Sequence, residues 1–144
     1  MLTARLMGPR RFEVGDGEEP VAGPGEVLLR VTGCGVCGSN LPPWSGTAGV
    51  EYPLAAGEPG HEAWGTVAAV GDGVEGIASG QAVAALTYRS FAEFDLAPAE
   101  NVVPLPDGLA GRPVLGEPLA CAVNVVRRAG VAAEEPGADD HHQV

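Results

Sequence analysis

The chain has 144 residues, a length that suits one domain with one buried core. Its 22 glycines and 13 prolines exclude a helical bundle, and its 45% hydrophobic content excludes a disordered chain. A formal net charge of −11 argues against nucleic acid and anionic membrane surfaces as partners, and its plain consequence is solubility.

Short strands joined by Gly/Pro turns are expected. Leu2 to Leu6 predicts a first strand, and Arg11 to Val14 a return across Met7-Gly8-Pro9. Asp16 to Pro20 is an acidic surface loop. Glu26 to Val31 predicts a strand with Val27, Leu29 and Val31 on one face. Gly33, Gly35 and Gly38 then crowd around Cys34 and Cys37, where a tight glycine turn is expected. Leu41 to Gly46 is a loop or short helix limited by Pro42-Pro43.

His61 opens a strand that alternates through Val70 and ends in the turn Gly71-Asp72-Gly73. Gln81 to Leu86, Phe91 to Leu96 and Asn101 to Val103 are further strands. Pro118 to Gly130 predicts a helix from the spacing of Leu119, Ala122, Val123 and Val126, with Pro118 in the first turn. Residues 131–144 form a frayed polar tail that includes His141 and His142. The folded domain is therefore expected over residues 1–130.

The three cysteines, Cys34, Cys37 and Cys121, make a poor disulfide framework. No signal segment or membrane-length apolar run is present, so a cytoplasmic protein is the default. Cys37 and His61, on separate loops, are a thiolate and an imidazole of the kind that zinc prefers. Catalytic zinc takes three protein ligands and keeps one position open. Glu62 or Glu117 would be the third, and spacing does not choose between them. The plainer alternatives are a buried thiol, a loop histidine and, for Glu117, a carboxylate favoured by a helix N-terminus. Trp44, Tyr52 and Trp64 are candidates to wall a substrate pocket, against simple packing.

Gly35-Val36-Cys37-Gly38-Ser39-Asn40 followed by Gly60-His61-Glu62-Ala63-Trp64-Gly65-Thr66-Val67 resembles the catalytic domain of zinc-dependent medium-chain dehydrogenases/reductases. These include the alcohol, polyol, threonine and glucose dehydrogenases. Pro24 to Val31, Ser90 to Phe94, Pro104 to Leu109 and Glu117 to Ala122 carry the likeness in order, from Met1 to about Gly130. The resemblance implies a mainly β fold: a partly open chaperonin-10-like β-barrel with a few short helices and a C-terminal helix. It implies a Zn2+ cofactor held by Cys37, His61 and a carboxylate. It also implies that Ser39, Glu62 and Glu117 serve catalysis, Ser39 as a relay hydroxyl.

The chain departs from that pattern. Asn40 stands where relatives usually carry Asp, and Pro42 where some carry a relay His, which puts ordinary alcohol oxidation in doubt. The cysteine-rich structural zinc lobe is missing. No Rossmann domain with a glycine turn at a helix N-terminus appears in the sequence. Gly71-Asp72-Gly73-Val74-Glu75-Gly76 has the letters, but it follows a barrel strand and puts acids where a pyrophosphate would sit.

Hydride transfer needs a nicotinamide held against the substrate. The first expectation is therefore a stand-alone zinc protein using Lewis-acid, non-redox chemistry on a small hydroxyl or carbonyl metabolite. Elimination, isomerisation, cyclisation and hydration all fit, in a biosynthetic setting. The second is a dehydrogenase completed by a nucleotide-binding partner or cut from a longer chain; the unlike tail after Gly130 argues modestly against a clean cut. The third is a non-catalytic binding module. The cleft face is expected to be covered by a homodimer or by a partner protein.

Overall fold

The computed structural model describes residues 1–130. The tail expected over residues 131–144, with His141 and His142, lies outside the described residues. Among the described residues, no helix is long and apolar enough to cross a membrane.

The chain opens with an antiparallel pair, β1 (Leu2–Gly8) and β2 (Arg11–Asp16), in the register Leu2↔Asp16 to Leu6↔Phe12. The main sheet contains β3 (Glu26–Gly35), β4 (Glu62–Val70), β5 (Ala82–Leu86), β6 (Phe94–Pro98) and β7 (Val102–Pro104). Its order is β6-β3-β4-β5-β7, with every pairing antiparallel. The sheet curls into a half-barrel, the mainly β architecture that the motifs implied.

Alternation explains which side chains go inside. Ala63, Gly65 and Val67 are buried along β4, while Trp64, Thr66 and Ala68 between them are partly exposed. Val27, Leu29, Val67, Val83, Ala85, Ala97 and Val102 form the core. Leu28 is buried too, outside that cluster, next to a register shift between Leu28 and Leu29. A bulge of this kind breaks strict alternation.

Three expected elements are corrected. The strand expected over Phe91 to Leu96 lies at Phe94–Pro98. The preceding peptides are used elsewhere: Ser90 N–H donates to the Gly60 carbonyl, Phe91 N–H to that of Gly57, and Ala92 bridges to Thr3. The helix α2 spans Gly116–Arg128 rather than Pro118 to Gly130, with Pro118 still in its first turn.

The third correction matters for the site. Gly33 and Gly35 do not make a turn; they extend β3, pairing with Trp64 and Glu62 of β4. They are glycines because their Cβ positions are occupied. The Trp64 ring lies over Gly33, and the Glu62 carboxylate lies over Gly35, where an added Cβ would also stand 3.0 Å from Leu115 Cδ2. The longer β3 delivers Cys37 two residues past its end. A 3-10 turn, Gly38–Asn40, and the short helix α1 (Leu41–Ser45) follow. Pro42 and Pro43 occupy the opening turn of α1, and Gly46 ends it at φ +89°.

Candidate metal centre

Cys37 caps the 3-10 turn from the loop after β3. His61 lies just before β4, free of strand alternation, and Glu62 is the first residue of β4. One ligand atom from each lies within 4.8 Å of the other two. These are a sulfur, an imidazole nitrogen and a carboxylate oxygen, the donor types zinc takes.

Charge points the same way. Glu62 is only 6% exposed, and no ion pair among the described residues includes it. A buried carboxylate without a cation is costly. A thiolate and a carboxylate together carry the charge that one divalent ion balances.

The imidazole is oriented for coordination. His61 Nδ1 lies 3.0 Å from the Pro59 carbonyl oxygen, which can only accept, so Nδ1 carries the proton. Nε2 is then left with its lone pair, and Ser39 Oγ lies 3.4 Å from it. The Cys37 thiol is held below its ordinary range. The Ser39 hydroxyl is the main cause, then the Ser39 backbone and His61, against the opposing pull of burial and of Glu62. For His61, burial pulls downward, but the Pro59 carbonyl, Cys37 and Glu117 outweigh it and hold the imidazolium above its usual range.

Glu117 is placed differently. It sits in the first turn of α2, which packs on β4 and β5. Its carboxylate accepts from the Cys121 thiol at 2.9 Å, and that contact pushes Cys121 up. It is not among the three gathered donors, yet its charge reaches His61. Of the two carboxylates the sequence offered, the fold brings Glu62 into the cluster and leaves Glu117 beside it.

Cys34 stays outside. Its thiol lies 3.2 Å from Ser90 Oγ, which accepts from Thr87 Oγ1 at 2.8 Å, and burial raises it. Trp64 packs over Gly33, and the Tyr52 hydroxyl donates to the Pro43 carbonyl. Trp44 lines an apolar cavity of about 250 Å3, shared with Phe12, Leu41 and Phe91. Sequence reasoning missed Pro59, whose carbonyl orients His61. A carbonyl carries no side-chain signature.

Gly35 offers a test of Glu62. Gly35→Ala would put a methyl group where the Glu62 carboxylate lies. Zinc affinity is expected to fall about 10–100-fold, the usual cost of disturbing a ligand's support. Competition against a chromogenic chelator measures it. An unchanged affinity would show that Glu62 is not a ligand.

Residues 23–107 match the alcohol dehydrogenase GroES-like domain family. Among curated relatives, L-galactonate-5-dehydrogenase of Escherichia coli is 26% identical over 148 residues, covering 82% of this chain and 42% of its own. Among solved structures, an alcohol dehydrogenase superfamily protein from Novosphingobium aromaticivorans superposes with a TM-score of 0.77 at 27% identity. It covers 91% of this chain and 43% of its own. Mycobacterial Rv1454c, solved in complex with NADPH, has a TM-score of 0.64 at 30% identity, covering 74% of this chain and 34% of its own. The chain thus spans less than half the length of each of these proteins. With the half-barrel, the ordered motifs and this match in hand, the chain belongs to the alcohol dehydrogenase GroES-like domain family, a part of the medium-chain dehydrogenases.

Proposed function

We propose that Cys37, His61 and Glu62 hold one zinc ion, and that the site acts on a small hydroxyl or carbonyl compound. The observation that carries this is the gathering of sulfur, nitrogen and oxygen donors within 4.8 Å, one of them the buried Glu62, which no ion pair among the described residues includes. When bound, zinc supplies Lewis acidity toward a hydroxyl or carbonyl oxygen.

The protein's own groups supply the rest. The Pro59 carbonyl fixes the His61 ring. Ser39 Oγ, exposed at the mouth of the site, holds or passes the proton of a substrate hydroxyl. Glu117, on α2 beside the cluster, serves as a further proton acceptor. These parts serve proton chemistry without a redox step: elimination, isomerisation, cyclisation or hydration. Among the described residues the one helix longer than two turns, α2, carries Glu117 in its first turn and suits no pyrophosphate.

The second reading is alcohol oxidation, with a nucleotide-binding domain in the same longer chain or in a partner. The dehydrogenase names of the relatives, and the NADPH in Rv1454c, favour it. Two measurements on the zinc-loaded chain separate the readings. Deuterium exchange next to the carbonyl of small ketones, followed by NMR and abolished by chelation, supports proton chemistry. Zinc-dependent oxidation of small alcohols with NAD(P)+, once a nucleotide-binding domain is supplied in the same chain or as a partner, supports hydride transfer. A purified chain that takes up no zinc would overturn both.

We extend the proposal to assembly. Leu119, Val125 and Val126 of α2 are exposed, and Trp44 is partly so. A second copy of the chain covers such apolar surface most simply. Light scattering is expected to give a dimer mass. A monomer unchanged on dilution would refute this, and a larger mixed complex would point to a partner protein. The setting we propose is cytoplasmic.

Zinc uptake should depend on pH in one direction. The metal takes the Cys37 thiolate and neutral His61, so both protons must leave. The His61 value is raised from 6.5, so protons compete from somewhat above that pH downward. The lowered Cys37 value keeps thiolate available below 9.0. Affinity is therefore expected to rise with pH and to fall steeply as pH drops through the His61 range. Calorimetry at several pH values, with proton release read from buffer enthalpy, checks it.

A further inference from the structure

We propose that Asn40 is a positioning residue that holds the two ligand loops in register, and that only an amide can do this here. The inference rests on the zinc reading for its functional meaning, but its geometry stands alone. Asn40 is 5% exposed and lies between the Cys37 loop and the Pro59–His61 loop. Its Oδ1 accepts from the Cys37 backbone N–H at 2.8 Å. Its Nδ2 donates to the Pro59 carbonyl oxygen at 2.8 Å.

The partners fix the orientation of the amide. A backbone N–H can only donate and a carbonyl can only accept. Turned the other way, the amide would lose both bonds. The same Pro59 oxygen accepts from His61 Nδ1. That one carbonyl therefore receives two donors, Asn40 Nδ2 and the His61 ring, and ties both to the Cys37 peptide. Asn40 Nδ2 is 3.5 Å from His61 Nδ1; both atoms carry hydrogen and share the acceptor rather than bonding each other.

The consequence runs against the resemblance. A carboxylate at this position would still accept from Cys37 N–H. It would have no hydrogen for the Pro59 carbonyl, so two acceptors would face each other in a buried site. Restoring the usual Asp would then loosen the Pro59 loop or pull the His61 ring away from that carbonyl. Asn40→Asp should be a loss, not a gain, although the two side chains have nearly the same shape.

The test uses the full 144-residue chain as wild type, Asn40→Asp and Asn40→Ala. Three quantities are read. The melting temperature of the zinc-free chain reports the fold. The 15N shifts of His61 in the zinc-free chain, well above the imidazole titration range, report its tautomer. Zinc affinity by chelator competition, with the visible spectrum of the cobalt-substituted chain, reports the site. Both variants are expected to fold and melt close to wild type. His61 in wild type is expected to be the Nδ1–H tautomer, and in both variants a mixture or an altered hydrogen bond. Zinc affinity should drop about 10–100-fold in both, with a changed cobalt spectrum.

Asn40→Asp binding zinc as tightly as wild type, with an unchanged cobalt spectrum, would overturn the proposal. So would variants that do not fold, since Asn40 would then serve the fold rather than the site. A wild-type chain that binds no zinc would remove the functional reading. The tautomer of the metal-free chain still decides whether Asn40 and Pro59 set the ring.

Discussion

Cys37→Ala is expected to abolish stoichiometric zinc, from about one ion per chain to near none. The reason is the small size of the donor set: three residues, of which Cys37 supplies the only sulfur. Loss of a supporting hydrogen bond around a metal costs about 10–100-fold in affinity. Loss of a ligand from a three-ligand site should exceed that. The fold should survive, because Cys37 lies in the loop between β3 and the 3-10 turn and contributes nothing to the core. Metal analysis after dialysis, alongside circular dichroism, checks both halves. A folded Cys37→Ala chain that keeps one zinc would remove Cys37 from the site. Cys34→Ala is the matching control. Its thiol bonds Ser90 rather than the ligand group, so zinc should be retained.

Leu29→Ala should have the largest effect on stability. Leu29 is 0% exposed in the middle of β3, paired with Val67 on one side and Asp95 on the other. Removing a buried leucine side chain costs about 2–5 kcal/mol, because transfer and cavity terms add. Domains have only about 5–15 kcal/mol in total. The melting temperature should fall on the order of 10 °C. Val14→Ala on β2, where the side chain is 71% exposed, should change stability by less than about 0.5 kcal/mol. Denaturant titration of both variants makes the comparison. Similar losses in the two would mean that the core does not sit where Val27, Leu29, Val67 and Val83 meet.

The parts of this protein that depend on near neighbours were legible in its residues. Period-two alternation from Ala63 to Val70 needs no distant partner, and β4 lies there. Pro118 in a first turn and Gly46 at the end of α1 are local backbone rules. The candidate donors were legible because thiol, imidazole and carboxylate are rare in one glycine-rich setting.

The rest was legible only in the folded chain, because it depends on what a distant residue brings. Glu62 and Glu117 are equivalent on paper. Pairing of Gly35 with Glu62 across β3 and β4 puts one carboxylate over the glycine and beside Cys37. Helix α2 turns the other toward Cys121. Gly33 and Gly35 predicted a turn, since glycine's conformational freedom is its visible property. Their role here is to leave space for Trp64 and Glu62, and that space exists only once the two strands are paired. Asn40 could be read from sequence only as a lost charge. Its value as a donor and an acceptor appears when Cys37 N–H and the Pro59 carbonyl, 22 positions apart in the chain at most, stand on either side of it. Hydrogen-bond partners supplied by backbone have no letter in the sequence, so the fold alone reveals them.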